Sequence, residues 1–252
     1  MLALLVVLAQ VAIPSPRGYV NDFAGVLDSA AIAHMEAVIT EVRSATRGEI
    51  AVVTLPDIGD RPASEVALQI GRQWGVGATG EAGDPSKNLG VVVLLVPRQN
   101  HHPGTGDIFI ATGRGAEGFL TDAAVGRIRD AMLPQLAQEQ YGPALSLAVD
   151  LIAQAFAREF GVTLSSPEYV PPPPQNPMPS IPIGFIIAAI VLLIILTRGR
   201  IFLLPFWLSS MRGGSGRGWG GGGGGAGFGG GGGFGGFGGG GGFSGGGAGG
   251  RF

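Results

Sequence analysis

Between residues 213 and 250 the chain is mostly glycine, and no other feature limits so strongly where a core can form. Glycine brings no apolar side chain and loses the most backbone freedom on folding, so the segment has nothing of its own to bury. Upstream of it, residues 183–196 are apolar apart from Gly184, and residues 171–182 are dominated by proline. Only residues 17–166 have the mixed composition of a globular domain, which is long enough for one core. The expected order is a signal sequence (1–13), a globular domain (17–166), a proline-rich linker (167–180), a transmembrane helix (181–197), a juxtamembrane segment (198–212) and a disordered glycine-rich tail (213–252).

Charge follows the same division. All 18 acidic residues lie at or before Glu168, whereas five of the 16 basic ones follow it. An acidic domain repels phosphate, which argues against nucleic acid as a partner. With no cysteine, disulfides, thiolate metal sites and a cysteine nucleophile are excluded. Residues 1–13 are too short to span a bilayer and resemble the apolar part of a secretory signal, with Val7-Leu8-Ala9 as a cleavage site, although a basic leader is missing. Ile181–Thr197 is an uncharged run near the lower limit for one helical span. Arg198, Arg200 and Arg212 follow it, so the positive-inside bias predicts a single-pass cell-membrane protein with the domain extracytoplasmic and the tail cytoplasmic. Phe228, Phe234, Phe237 and Phe243 are spaced through the tail, which reads as solvated rather than as a binding segment.

Within the domain, Asp28 or Ser29 caps a predicted helix whose Ile32, Met35, Ile39 and Val42 share one face, with His34 beside that stripe toward solvent and Gly48 ending it. Glu49–Leu55 reads as a buried strand. A helix starting at Pro62 follows, with Ala67, Ile70 and Trp74 inward and Gly75 and Gly77 stopping it. Leu89–Val96 is the most apolar strand and suits the centre of a sheet covered on both faces. Strand, helix, strand implies a parallel pair. The link from Pro97 to Gly106 has no helix signal, so Asp107–Thr112 is expected to return antiparallel, and His101-His102 reads as a solvated loop. Two helices, 121–138 and 142–160, complete a small mixed α/β sheet flanked by helices.

The chemistry concentrates at one predicted corner. If 107–112 runs antiparallel, Gly113 lies at the same sheet edge as Asn88, and the turns bearing Asp84, Asn88, Glu117 and Asp122 meet, with Asp57 and Asp60 at the opposite edge. Converging carboxylates either shift a pKa or recruit a cation, and oxygen-only ligands favour calcium, with magnesium as the alternative. Asp84, Ser86 and Asn88 match the opening of a calcium loop, but Leu89 and Leu95 occupy the places of its glycine and its glutamate, so a complete EF-hand is excluded. Gly113, Gly115 and Gly118 fit Gly-x-Gly-x-x-Gly, but no second parallel strand follows, so a dinucleotide site is rejected.

Three stretches carry a resemblance: Tyr19-Val-Asn-Asp-Phe-Ala-Gly-Val-Leu27, Asn88-Leu-Gly-Val-Val-Val-Leu-Leu95 and Gly113-Arg-Gly-Ala-Glu-Gly-Phe-Leu-Thr-Asp122. Residues 17–162 resemble the TPM-domain family, named for thylakoid, phosphatase and membrane proteins. The resemblance implies a TPM-like α/β sandwich, calcium bound by some members, and the acid phosphatase activity proposed for a plant relative. Carried over by motif, Asp22, Asp84, Asn88, Glu117 and Asp122 are the candidate metal ligands, and Lys87 stands where the family pattern often has an acidic residue. The expected function is a membrane-anchored domain that binds a divalent cation and serves assembly or maintenance of membrane proteins, with other membrane proteins as its partners. A metal-dependent acid phosphatase acting on phosphate monoesters is the alternative.

Overall fold

The run that sequence places at the centre of the sheet lies there. β3 (Gly90–Val96) is buried along its whole length. It pairs in parallel with β2 (Glu49–Thr54) on one side and antiparallel with β4 (Asp107–Gly113) on the other. These strands belong to a computed structural model that describes residues 13–79, 84, 87–165 and 234–252. Alternation along β3 divides the core between two faces: Val91, Val93 and Leu95 enter one cluster, while Val92, Leu94 and Val96 enter the other. A strand covered on both sides has no polar face to show, which is why its sequence is an unbroken apolar run.

The first face packs on α1 (Ser29–Thr46), α3 (Asp122–Ala137) and α4 (Tyr141–Phe160). The second packs on α2 (Ala63–Trp74). Asp28 caps α1 by accepting the Ala31 N–H at 2.8 Å, and Thr121 caps α3 by accepting the Ala124 N–H at 3.3 Å. α1 ends at Arg47, in the left-handed region at φ 62°, rather than at Gly48. Gly48 is needed for packing instead, since a Cβ there would stand 2.2 Å from the Phe156 ring. His34 was expected toward solvent, yet it is buried and its Nε2 lies 2.8 Å from the Asp150 carboxylate on α4. A second helix packs where one helix read alone would show water. The link after β3 contains a short 3-10 turn, Gln99–His101.

Two strands escape a reading of local pattern. β1 (Val20–Asp22) pairs in parallel with β2. β5 (Phe243–Arg251) pairs antiparallel with β4 and completes the order β1-β2-β3-β4-β5. β5 comes from the glycine-rich stretch, so the expectation of a disordered tail is corrected for residues 234–252. Backbone N–H and C=O groups along an open β4 edge need partners, and glycine can supply them with no side chain in the way. Phe243 and Phe252 are buried on opposite faces, and Phe234 and Phe237 pack edge-on against Tyr19.

Among the described residues no helix is long and apolar enough to cross a membrane. The expected span (181–197), the linker, the juxtamembrane segment and residues 1–12 of the expected signal lie outside the described residues. Ile13, counted with that signal, is buried in the cluster that packs on α2.

Candidate functional site

The turns before β3 and after β4 meet, as the antiparallel return requires. The Gly115 N–H donates to the Asn88 carbonyl at 3.2 Å, and a Cβ on Gly113 would stand 2.5 Å from that same oxygen. Asn88 adopts φ 57°, a left-handed turn that asparagine tolerates better than most residues.

What converges on this corner is the tail. A Cβ on Gly242 would overlap the Asn88 side chain. The Ser244 hydroxyl donates to Glu117 Oε1, and the Gly247 N–H donates to Asp122 Oδ1 at 2.7 Å. Asn88, Glu117 and Asp122 therefore line up along residues 242–247 of one extended segment. Asp122, the first residue of α3, also sits at a helix N-terminus, where a negative charge is favoured. Asp84 is set apart, with its carbonyl accepting the Lys87 N–H and its carboxylate 3.9 Å from Arg47.

Asp22 lies at the other end of the sheet. It is registered with Thr54, whose neighbour position on β3 is Leu95, whereas Asn88 precedes the start of β3. Its carboxylate accepts the N–H groups of Gly25, Val26 and Leu27 at 3.0, 3.2 and 2.9 Å, together with the Thr54 hydroxyl. That pattern ties down the turn leading to α1. Asp57 is at this same end, where it faces Gln99.

Calcium needs six to eight oxygens about 2.3–2.6 Å from one point. Among the described residues no group of three or more His, Cys, Asp or Glu side chains could hold an ion. With Ser244 and Gly247 seated on them, Glu117 and Asp122 are both engaged by the tail segment. Thr112 Oγ1 is buried without a hydrogen-bond partner, and it and Glu117 Oε1 lie within 3.0 and 2.8 Å of where a Gly246 Cβ would stand.

The residues that sequence reasoning passed over are those that grip the tail. Glu49 is 2% exposed, and its carboxylate accepts from Arg43 Nε at 3.1 Å and from the Gly77 N–H at 2.8 Å. It also accepts the Gly238 N–H. Arg72 on α2 donates to the Phe243 carbonyl at 2.9 Å, and Arg129 on α3 donates to the Gly249 carbonyl at 2.7 Å. Arg98 reaches a backbone oxygen of Phe252 at 3.2 Å and lies over its ring. The available signal was Glu49 itself, a charge opening an otherwise apolar strand. A cleft of about 450 Å³ beside it is lined by Tyr19, Arg43, Arg47 and Gly238, but Arg43 is already engaged by Glu49 and by the Tyr19 hydroxyl.

Solved structures resemble the chain, and two of them are N-terminal domains of bacterial proteins. One is the N-terminal domain of a P. gingivalis protein, at 33% identity and a TM-score of 0.49, covering 58% of this chain and 86% of that one. The other is the N-terminal domain of the Corynebacterium glutamicum protein cg2496, at 19% identity and a TM-score of 0.43, covering 64% of this chain and 96% of that one. No curated protein matches. A family model described as the TPM domain matches residues 20–155, more than half of the chain, and the chain belongs to the TPM domain family.

Proposed function

We propose that this TPM domain works by binding rather than by catalysis, and that its ligand groove is the β4 edge between α2 and α3. The observation that carries the reading is the direction of the corner's polar groups: Glu117 and Asp122 both accept hydrogen bonds from one extended segment. In this reading the module holds a glycine-rich strand at a membrane surface and serves assembly or maintenance of membrane proteins. A divalent cation, calcium or magnesium, is a second ligand of the same corner when the strand is away, and the unpartnered Thr112 hydroxyl beside Glu117 supports that addition.

The apolar run at 181–197 supports membrane attachment. Hydrogen-bonded strands lie about 4.8 Å apart, so a pair cannot sit on opposite sides of a hydrocarbon core about 30 Å thick. The pairing of β4 with β5 therefore favours residues 13–165 and 234–252 on one side, in place of a cytoplasmic tail.

The test is a calcium and magnesium titration of the full chain in detergent, followed by thermal melting, beside the Glu117→Gln/Asp122→Asn variant. Stabilisation of the wild type that the variant loses is expected, with no turnover of a phosphate monoester. Indifference to both ions would remove the cation from the reading. Phosphate-ester turnover that Asp122→Asn abolishes would replace binding with the phosphatase alternative.

A further inference from the structure

We propose that the β4 groove also accepts its strand from a second copy of this chain, so that neighbouring molecules exchange residues 234–252. The proposal rests on the groove being a strand acceptor, and it names the partner.

The holds on the segment come from residues of the globular domain, most of them at the β4 groove. The β4–β5 ladder runs from Asp107↔Arg251 to Gly113↔Phe243. Arg72 and Arg129 fix two carbonyls, Glu49 and Asp122 fix two N–H groups, and Phe243 fills the space over Gly71. None of these contacts depends on which molecule supplies the strand. The covalent connection runs through residues 166–233, roughly 68 residues. At no more than about 3.5 Å per residue, its contour allows up to about 240 Å. A domain of this size has a radius of gyration of about 16 Å, so a neighbour lies well within reach. Without a docked strand β4 would show an open edge, and trading one identical element for another leaves the number of contacts unchanged.

The experiment uses the full chain in detergent. The chain has no cysteine, so an introduced pair reports one disulfide. Asp107, half-buried, and Arg251, exposed, are cross-strand partners, and cross-strand Cα separations of about 4.5–5.5 Å fall within disulfide range. With Asp107→Cys and Arg251→Cys in one molecule, mild oxidation should close an intramolecular bond. With the two substitutions in differently tagged molecules, oxidation should join the tags, with a yield rising several-fold over a tenfold increase in concentration. Adding Gly249→Val to the Arg251→Cys copy should remove that product.

If the mixture joins no more tag than one carrying Ala37→Cys in place of Asp107→Cys, while the double variant closes normally, exchange is overturned and the groove reading stands. If the double variant itself fails to close, both are overturned.

Discussion

Glu49 and Gly238 join the start of the second strand to the glycine-rich segment: both carboxylate oxygens accept the Gly238 N–H, at 2.9 and 2.8 Å. A glutamate 2% exposed in a strand of apolar residues holds its place by this contact and those to Arg43 and Gly77. Replacing it with glutamine removes the charge from these hydrogen bonds. Bonds to charged groups contribute roughly 1.5–3 kcal/mol each, so Glu49→Gln should lower unfolding stability by about that much. It should also speed amide exchange across residues 236–241. A loss under about 0.5 kcal/mol with unchanged exchange would show that the contact is incidental.

Glycine is required at particular tail positions and not at others. A Cβ on Gly249 would stand 2.3 Å from the Phe109 ring and 2.7 Å from the Ile108 carbonyl, whereas nothing lies within 4 Å of one on Gly235. Gly249→Val should cost about 1–3 kcal/mol through overpacking and expose the β4 amides to exchange, while Gly235→Ala should be silent. Equal exchange profiles for the two variants would contradict the docked strand.

Burial of the Thr112 hydroxyl without a partner leaves a desolvated donor uncompensated. Such a group costs about 1–3 kcal/mol. Thr112→Val keeps the shape, so a denaturant midpoint shifted toward greater stability is expected. Destabilisation would mean that the hydroxyl is satisfied in solution.

Glu36 on α1 accepts the Val20 N–H at 2.8 Å and so holds β1. Burial nonetheless raises its pKa above the ordinary 4.5, outweighing the opposing hydrogen bonds from Val20 and Tyr19. With the folded pKa raised, the fold binds this proton more tightly than the unfolded chain does. That stability is fully present below 4.5 and is lost as pH rises through the folded value. Glu36→Gln keeps a neutral side chain at every pH. Its advantage over wild type should therefore be absent at pH 4 and grow above 4.5. Parallel stability curves would rule out this linkage.

Shared sidedness can be read by labelling. Ala37 on α1 and Gly235 before β5 are both exposed, so cysteines there should react alike with a membrane-impermeant maleimide on intact cells. Opposite reactivity would return the tail to the other side of the membrane.

By itself the sequence determined the parts whose stability is local. Apolar periodicity marked α1 to α4 through stripes such as Met35, Ile39 and Val42, and the run Gly90–Val96 marked a strand covered on both faces. Because a helical crossover implies a parallel pair and a helix-free link an antiparallel one, the meeting of the Asn88 and Gly113 turns was legible as well. Tertiary structure decided what rests on distant partners. β1 is too short to carry a pattern, and β5 has no pattern because six of its nine residues, Gly245, Gly246, Gly247, Gly249, Gly250 and Ala248, bring little or no side chain. Its hydrogen bonds go to a strand about 140 residues earlier in the chain, at an edge whose unpaired groups no local window reveals. The same physics separated Asp22 from the other acidic candidates and turned Glu117 toward the Ser244 hydroxyl and Asp122 toward the Gly247 N–H. Residue types specify what a side chain can bind, but only the folded edge determines which group arrives there first.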